Sequence, residues 1–255
     1  MIILAAAASS SEAKISGYQH ASLTSKHTNF YLEKDEYREI PFPDEIITMG
    51  HVTKDLMGNL WNFPLDRLKV GCALRQSLAP GAQTKKSAGK IDKILIPLAS
   101  SLEEYVGALE FLDKAFLKSQ PYELIIRPHP IIDFEKALKV QLPRHIKYRL
   151  DTGPLRESLA CADLVMYVSS TVSLEAIALG IPVICIALKD VLSPDPLFNG
   201  PSLKWDCADP EKLQNLIEEI SGIEKGRFVE FQKEGQEYSR LYCIPATEES
   251  MKAFI

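Results

Sequence analysis

The sequence predicts an α/β protein with a doubly wound, Rossmann-like parallel sheet and a smaller, incomplete N-terminal α/β portion. From about Ile91 onward, short β-rich runs alternate with helical stretches, which is the pattern of parallel strands joined by right-handed crossovers. The first 75 residues hold only two or three candidate strands, which is few for an independent hydrophobic core. We therefore expect one full domain and one partial domain.

Residues 1–75 form the partial N-terminal portion. Its predicted elements are a helix at Ile2–Ala13, a strand at Lys14–Tyr18, a strand at Glu45–Met49, a helix near Val52–Leu60 and a strand at Leu68–Gly71. Residues 76–90 are rich in Ala, Gly, Ser and Lys and lack apolar periodicity, which predicts an exposed linker.

Residues 91–255 form the larger domain. Its predicted strands are Lys93–Leu98, Tyr122–Ile126, Ile146–Leu150, Leu164–Val168 and Pro182–Ile186. Its predicted helices are Leu102–Leu117, Phe134–Val140, Leu155–Ala162, Ser173–Leu179, Asp209–Ile220 and a last amphipathic helix from about Gly226 to Tyr242. Gly180 is expected to end its helix, because glycine after the last turn readily adopts a left-handed conformation. Asp209 and Pro210 are typical of the N-cap and of the first helical position.

Composition excludes several classes of protein. The 29 Lys and Arg residues are outnumbered by 34 Asp and Glu residues, and no extended basic block occurs, so we expect no nucleic-acid partner. Five widely spaced cysteines without a CxxC pair predict neither a disulfide framework nor a zinc site, and they indicate a reducing cytoplasm.

No apolar run reaches the roughly 18 residues that a membrane-spanning helix needs. The first 13 residues resemble a signal peptide in their apolar composition. They lack the positively charged N-terminal region of a signal peptide, and their apolar stretch is short, so a cytoplasmic location is expected. No DxD motif occurs in residues 91–255, and Asp195 lies in a loop without a partner at metal-ligand spacing. We therefore expect no metal ion and no other cofactor.

Two motifs follow strands of the larger domain, at the edge where open parallel sheets bind ligands. Arg127-Pro128-His129-Pro130 comes directly after the second strand, and its prolines hold the backbone extended around the imidazole. The second motif, Ser169-Ser170-Thr171, precedes a helix, where hydroxyl and free N–H groups can bind a phosphate. Because both motifs end strands of one sheet, we expect them to converge.

Glu175 lies one helical turn beyond the hydroxyl motif, within reach of a ribose or sugar hydroxyl if a phosphate binds at the helix start. Each of these residues also has a purely structural interpretation. The serine-rich junction could be only an N-cap, His129 could hydrogen-bond to neighbouring backbone, and Arg127 could be a buried ion-pair partner.

The RPHP motif, followed some 40 residues later by SSTVSLEAIALGIPVI, resembles the C-terminal, donor-binding domain of GT-B glycosyltransferases. The similarity is strongest to bacterial surface-polysaccharide enzymes, namely capsule sialyl- and Kdo-transferases and teichoic-acid glycerophosphotransferases, and it extends to UDP-N-acetylglucosamine 2-epimerases. It covers about residues 91–188. The resemblance implies that His129, Ser169, Ser170 and Thr171 bind the nucleotide phosphate of the donor. We expect Arg127, in the same motif as His129, to contribute to this phosphate site. An epimerase-like alignment would make Glu175 the ribose-binding carboxylate.

The same resemblance implies that KISGYQHA is a strand and loop of the N-terminal GT-B domain. It makes His20 the candidate catalytic base, although Ala21 replaces the glycine of the family's Trp-His-Gly setting and no tryptophan precedes it. The alternative is an ordinary surface histidine. The chain opens within what resembles the last two or three units of that domain, so a truncated or reduced N-terminal lobe is expected.

The leading functional hypothesis is therefore transfer of a sugar from a CMP- or UDP-linked donor to a surface-polysaccharide acceptor. The alternatives are a UDP-sugar 2-epimerase relative and a non-catalytic module that binds nucleotide sugars. Peripheral association with a membrane stays open, as do the acceptor, the stereochemistry and the oligomeric state.

Overall fold

The computed structural model describes residues 14–28, 31–74, 89–140, 143–188 and 192–255. The predicted helix Ile2–Ala13 and the linker up to residue 88 lie outside these residues. The chain divides into two compact units, one of Met1–Gly81 with Tyr238–Ile255 and the other of Ala82–Glu237. None of the described helices is both long enough and apolar enough to cross a lipid bilayer.

The first unit contains a parallel sheet of strands β1 (Ser16–Tyr18), β2 (Glu45–Thr48) and β3 (Leu68–Val70), paired in that order. Helix α1 (His51–Trp61) connects β2 to β3 and buries Leu56, Met57 and Trp61. These elements agree with the sequence predictions to within two residues at each end. Three strands and one crossover helix are the small α/β portion that the sequence predicts.

The C-terminal 18 residues pack with this first unit, whereas the sequence analysis places them in the larger domain. The Leu23 amide donates to the buried Tyr242 hydroxyl at 2.8 Å, and Ile244 exchanges backbone hydrogen bonds with Met49 and Ala73. These bonds join positions far apart in sequence, so local patterning could not reveal them.

A buried charge cluster stabilises the sheet of the first unit. The Glu45 carboxylate lies 2.5 Å from Lys69 Nζ and 2.9 Å from Lys14 Nζ, and it accepts a hydrogen bond from the Ser16 hydroxyl at 2.7 Å. Hydrogen bonds from Lys69, Lys14 and Ser16 together lower the pKa of Glu45 to about 2.

We expect Glu45→Gln to lower the free energy of unfolding of the first unit at pH 7 by about 1 kcal/mol, since both lysines are half-exposed and solvent screens the pairs. The folded-state pKa is below the unfolded value, so the carboxylate contributes fully above about pH 4.5 and progressively less as pH falls toward 2. Urea denaturation followed by the fluorescence of buried Trp61 measures the loss. The exposed Glu123–Arg149 pair supplies the control, Glu123→Gln. An equal loss at pH 7 and near pH 2 would contradict the prediction.

The second unit is built on a six-stranded parallel sheet. Its strands are β4 (Lys93–Pro97), β5 (Glu123–Arg127), β6 (Tyr148–Leu150), β7 (Leu164–Tyr167), β8 (Val183–Ile186) and β9 (Lys204–Cys207). They pair in the order β6-β5-β4-β7-β8-β9. The chain moves outward from β4 to β6 and then returns to β7 on the other side of β4. This reversal is the topological switch point of a doubly wound sheet, and it confirms the predicted fold class.

Helices connect the successive strands from β4 to β8, and further helices follow β9. They are α2 (Leu102–Ala115), α3 (Phe134–Val140), α4 (Leu155–Cys161), α5 (Val172–Ala178), α6 (Leu213–Ser221) and α7 (Lys225–Tyr242), followed by α8 (Glu248–Met251) among the C-terminal residues of the first unit. The Asp209 carboxylate accepts from the Glu211 amide in the 3-10 turn before α6, and Gly180 after α5 has a φ of 71°, as predicted from these residue types. Strand β9 was not predicted, because its Lys-Trp-Asp-Cys sequence is half polar at the edge of the sheet.

Candidate functional site

The two sequence motifs lie at the carboxyl ends of β5 and β7, on either side of β4. Neighbouring strands are spaced about 4.8 Å apart, so the ends of β5 and β7 are separated by about 10 Å. That distance suits a ligand the size of a nucleotide phosphate and its sugar. The convergence predicted from the sequence is thus present in the topology of the sheet.

The first turn of α2 connects both motifs. The backbone amide of His129 donates to the hydroxyl of Tyr105, and the Ser169 hydroxyl donates to the carboxylate of the adjacent residue Glu104. Tyr105 is fully buried, and this burial raises the pKa of its hydroxyl despite the opposing effect of the hydrogen bond to His129. One helical turn therefore holds the two loops in a defined arrangement.

His129 is half-buried, and one of its ring nitrogens forms a hydrogen bond within its own loop. Its Nδ1 atom accepts from the Ile131 amide at 3.4 Å, and its carbonyl accepts from the Ile132 amide at 3.1 Å. In the parts of the chain that the structure describes, Nε2 has no hydrogen-bond partner. An accepting Nδ1 places the proton of the neutral ring on Nε2, which can then donate to an anionic oxygen.

Arg127 is held as an ion-pair partner, which is the structural role that the sequence left open. Its Nη1 atom lies 2.6 Å from the Asp151 carboxylate and 2.7 Å from the Gly153 carbonyl. Burial alone would raise the pKa of Asp151, but the Ser158 hydroxyl and Arg127 outweigh it and hold the pKa below its ordinary value. The pair anchors the end of β5 to the end of β6, so the charge of Arg127 is largely neutralised.

The hydroxyl motif leads into α5 without forming a strong side-chain cap. Thr171 occupies the N-cap position with helical backbone angles and caps no amide, and Ser170 Oγ accepts only a long bond of 3.4 Å from the Val172 amide. The three hydroxyls are partly exposed. The hydroxyls of this motif therefore cap the N-terminus of α5 only weakly. The hydroxyls of Ser170 and Thr171 can donate hydrogen bonds to a ligand.

Glu175 follows one turn into α5 and is half-buried. Burial raises its pKa, and the positive charge of Arg127 acts in the opposite direction. A carboxylate in this position can accept hydrogen bonds from sugar hydroxyl groups.

His20 belongs to the first unit and is described within it. It is exposed in the loop after β1, where buried Gln19 fixes the backbone by bonding to Ile47, to Met49 and to the Ala21 carbonyl. The imidazole itself is accessible, and its ring centroid lies 6.3 Å from that of Tyr18.

The sequence analysis did not identify four residues of the second unit that form hydrogen bonds with the residues of the two motifs. They are Glu104 and Tyr105 in the first turn of α2 and Asp151 and Ser158 beside Arg127. Glu104 and Tyr105 lie in the first turn of α2, which follows β4, the strand between β5 and β7. This position next to both motifs was the sequence signal that could have identified them. Asp151 directly follows β6, which pairs with β5, and Ser158 lies in the next helix, α4. These positions beside the end of β5 were the available signal for Asp151 and Ser158.

A second polar cluster lies near the carboxyl ends of β7, β8 and β9 and consists of Tyr167, Cys185, Asp195, Lys204 and Asp206. Cys185, Asp195 and Asp206 offer ligand atoms within 4.8 Å of one another, although Asp195 appeared to lack such partners in the sequence. The ammonium of Lys204 lies 2.9 Å from Asp195 and 2.7 Å from Asp206, and the Tyr167 hydroxyl donates to Asp195 at 2.7 Å. Lys204 thus supplies the positive charge that these carboxylates require.

Burial raises the pKa values of Tyr167 and Cys185, and the negative charge of Asp195 adds to both shifts. Both groups are therefore neutral near pH 7. An open cavity of about 470 Å³ lies next to this cluster, beyond β9, and is lined by residues of the β9 end and of α6. This cavity is distinct from the crevice between β4 and β7.

Solved structures share this fold at low sequence identity. A glycosyltransferase from Rickettsia africae has a TM-score of 0.58 at 14% identity, covering 94% of this chain and 69% of its own. HepE from Anabaena, solved with UDP and glucose, has a TM-score of 0.54 at 15% identity and coverages of 94% and 70%. The UDP-GlcNAc 2-epimerase of Methanocaldococcus jannaschii, solved with UDP-GlcNAc and UDP, has a TM-score of 0.52 at 15% identity and coverages of 94% and 71%.

No protein-family model matches the chain, and no curated protein is significantly similar to it in sequence. The chain spans between about half and 71% of the length of the structures that resemble it with a TM-score above 0.5. These likenesses establish the Rossmann-like α/β fold of the chain.

Proposed function

We propose that this chain binds a nucleotide-sugar donor and transfers its sugar to a glycan acceptor. The observation that carries this proposal is the convergence of the His129 loop and the 169–171 hydroxyls at the switch point of the sheet, joined by the first turn of α2. The likeness to a glycosyltransferase from R. africae and to HepE, which was solved with UDP and glucose, supports the same conclusion.

In this proposal the site stabilises a departing phosphate by hydrogen bonding. The bond between the anomeric carbon and the phosphate oxygen breaks, and its electron pair stays on that oxygen. Nε2–H of His129 and the hydroxyls of Ser170 and Thr171 donate to the developing anion, which is the electrostatic stabilisation that such a step requires. Glu175 accepts from a ribose hydroxyl, and Arg127 positions the His129 loop through Asp151.

The acceptor hydroxyl attacks the anomeric carbon and must lose its proton. His20 is the proposed base for this proton, because it is an accessible imidazole with its backbone fixed by Gln19.

A 2-epimerase acting on a UDP-linked sugar is the second candidate, favoured by the likeness to the M. jannaschii enzyme. The two reactions have different products. Incubation with a UDP-linked sugar and a glycan acceptor yields free UDP and a glycosylated acceptor in a transferase. An epimerase yields the C2 epimer with its UDP still attached and leaves the acceptor unchanged, and proton NMR distinguishes these products.

The proposed phosphate site is tested with Ser170→Ala and a series of ligands. We expect the variant to bind UDP about threefold to tenfold more weakly, which corresponds to one hydrogen bond, and to bind uridine unchanged. Isothermal titration calorimetry with uridine, UMP, UDP and CMP measures these affinities. Ser119→Ala, an exposed serine that follows α2 and bonds to Gln214, is the control. An equal loss for uridine and UDP would indicate altered packing, and a wild-type protein that binds no nucleotide would overturn the proposal.

A further inference from the structure

The two helices that begin at the switch point carry opposite chemistry at their N-terminal ends. Helix α5 begins after three hydroxyls, whereas the first turn of α2 contains the carboxylates Glu103 and Glu104. Acidic side chains in this position already satisfy the positive end of the α2 dipole. The proposed function therefore assigns the phosphate to the hydroxyls before α5 and not to the start of α2.

Glu104 nevertheless reaches across to the hydroxyl motif. Its carboxylate is half-buried and accepts the hydrogen bond of Ser169, the first residue of that motif. Any phosphate bound by Ser170 and Thr171 would lie within one residue of this negative charge. Glu103, by contrast, is exposed on the same turn.

We propose that Glu104 is a specificity-determining residue that weakens binding of the nucleoside phosphate product relative to the nucleotide-sugar donor. This inference rests on the proposed function, because it assigns the phosphate to the 169–171 motif. Its basis is the Glu104–Ser169 hydrogen bond, which places a carboxylate at the edge of an otherwise hydroxyl-lined anion site.

Sugar transfer changes the charge of the phosphate that faces Glu104. In the donor the phosphate bonded to the sugar carries one negative charge. When the bond between the anomeric carbon and the phosphate oxygen breaks, the electron pair remains on that oxygen and the sugar bonds to the acceptor oxygen, whose proton goes to the base. The product phosphate is then a terminal phosphate, and with a second pKa of about 6 it carries nearly two negative charges at pH 7.

Coulomb repulsion is proportional to charge, so a nearby carboxylate destabilises the product about twice as much as the donor. The effect is strongest where water is partly excluded, as it is around the half-buried Glu104. Glu104 would in this way favour release of the nucleoside phosphate after transfer.

Glu104→Gln tests the inference, because the amide oxygen can still accept from Ser169 while the charge is lost. We expect the variant to bind UDP about fivefold more tightly and UDP-glucose only about twofold more tightly, because the donor phosphate carries half the charge. The matched control, Glu103→Gln, removes the same charge from the same turn and should change neither affinity by more than about twofold. Calorimetry at pH 7.5 measures all four affinities, and CMP with a CMP-linked sugar provides a second donor and product pair.

The wild-type protein offers an independent measurement. Salt screens the repulsion, so raising NaCl should improve UDP binding relative to UDP-glucose binding in wild type but not in Glu104→Gln. If the ligands bind and Glu104→Gln leaves the ratio of the two affinities unchanged, the inference is wrong and the proposed function stands. If wild type and variants bind none of these nucleotides, the proposed function itself fails.

Discussion

Asp195→Ala is expected to lower the free energy of unfolding of the second unit by about 3 kcal/mol, because it removes the buried partner of Lys204 and leaves that ammonium only the exposed Asp206. Asp195 is 1% exposed, and its partner Lys204 has a side chain that is 9% exposed. The variant also leaves the buried Tyr167 hydroxyl without its acceptor and removes the carboxylate that receives the Leu197 amide. Urea denaturation followed by the fluorescence of Trp205, on β9, measures this loss.

Asp206→Asn is the control for that experiment. Asp206 also contacts Lys204, but its side chain is 59% exposed, so the variant should cost less than about 1 kcal/mol. If Asp195→Ala lowers the free energy of unfolding no more than Asp206→Asn does, the buried pair of Asp195 and Lys204 does not stabilise the second unit. Because Tyr167 lies two residues before Ser169, a confirmed loss would also identify Asp195 as a support of the candidate site.

His129→Ala is expected to weaken nucleotide binding by more than tenfold, which corresponds to about 1.4 kcal/mol or more. The variant removes the Nε2–H donor that faces the proposed phosphate. It keeps the loop in place, because the amide and the carbonyl of His129 form the hydrogen bonds to Tyr105 and Ile132. The affinity for UDP should therefore fall while the melting temperature stays close to that of wild type.

His145→Ala serves as the matched control, because it removes an exposed imidazole from a loop of the same unit, before β6. Calorimetry with UDP and CMP measures both variants. Equal affinities of His129→Ala and wild type would remove His129 from the site. A large fall in melting temperature would instead indicate that the ring supports the loop.

Local sequence patterns were sufficient for most of the second unit. The helix predicted at Phe134–Val140 has the same bounds in the structure, and most other predicted strands and helices agree to within about two residues. The helix predicted from Asp209 differs, because a 3-10 turn at Pro210–Lys212 precedes α6, which begins at Leu213. Buried parallel strands are continuous apolar runs, and their ends are marked by Gly, Pro and polar residues, so both features can be read from neighbouring residues. Strand β9 lies at the edge of the sheet and only Cys207 of its four residues is buried, so its sequence is not a continuous apolar run.

The candidate site was predicted only in outline. His129 and the 169–171 hydroxyls follow strands directly, so their shared edge was evident from the order of the elements. The roles of Arg127 and Glu104 depend on partners 24 and 65 residues away in the sequence, and no local pattern specifies such pairs. The sequence left Arg127 open between two roles, and the structure places it against Asp151.

The amino-acid sequence by itself determined the α/β class, the positions of its strands and helices and the edge at which ligands would meet, because each depends on residues close together in the chain. The tertiary structure alone decided which charges are neutralised and which stay available: Lys204 compensates Asp195, Asp151 compensates Arg127, and Glu104 reaches the hydroxyls beside it. Electrostatic interactions depend on distance in space and on exclusion of water, and both quantities exist only once the chain has folded.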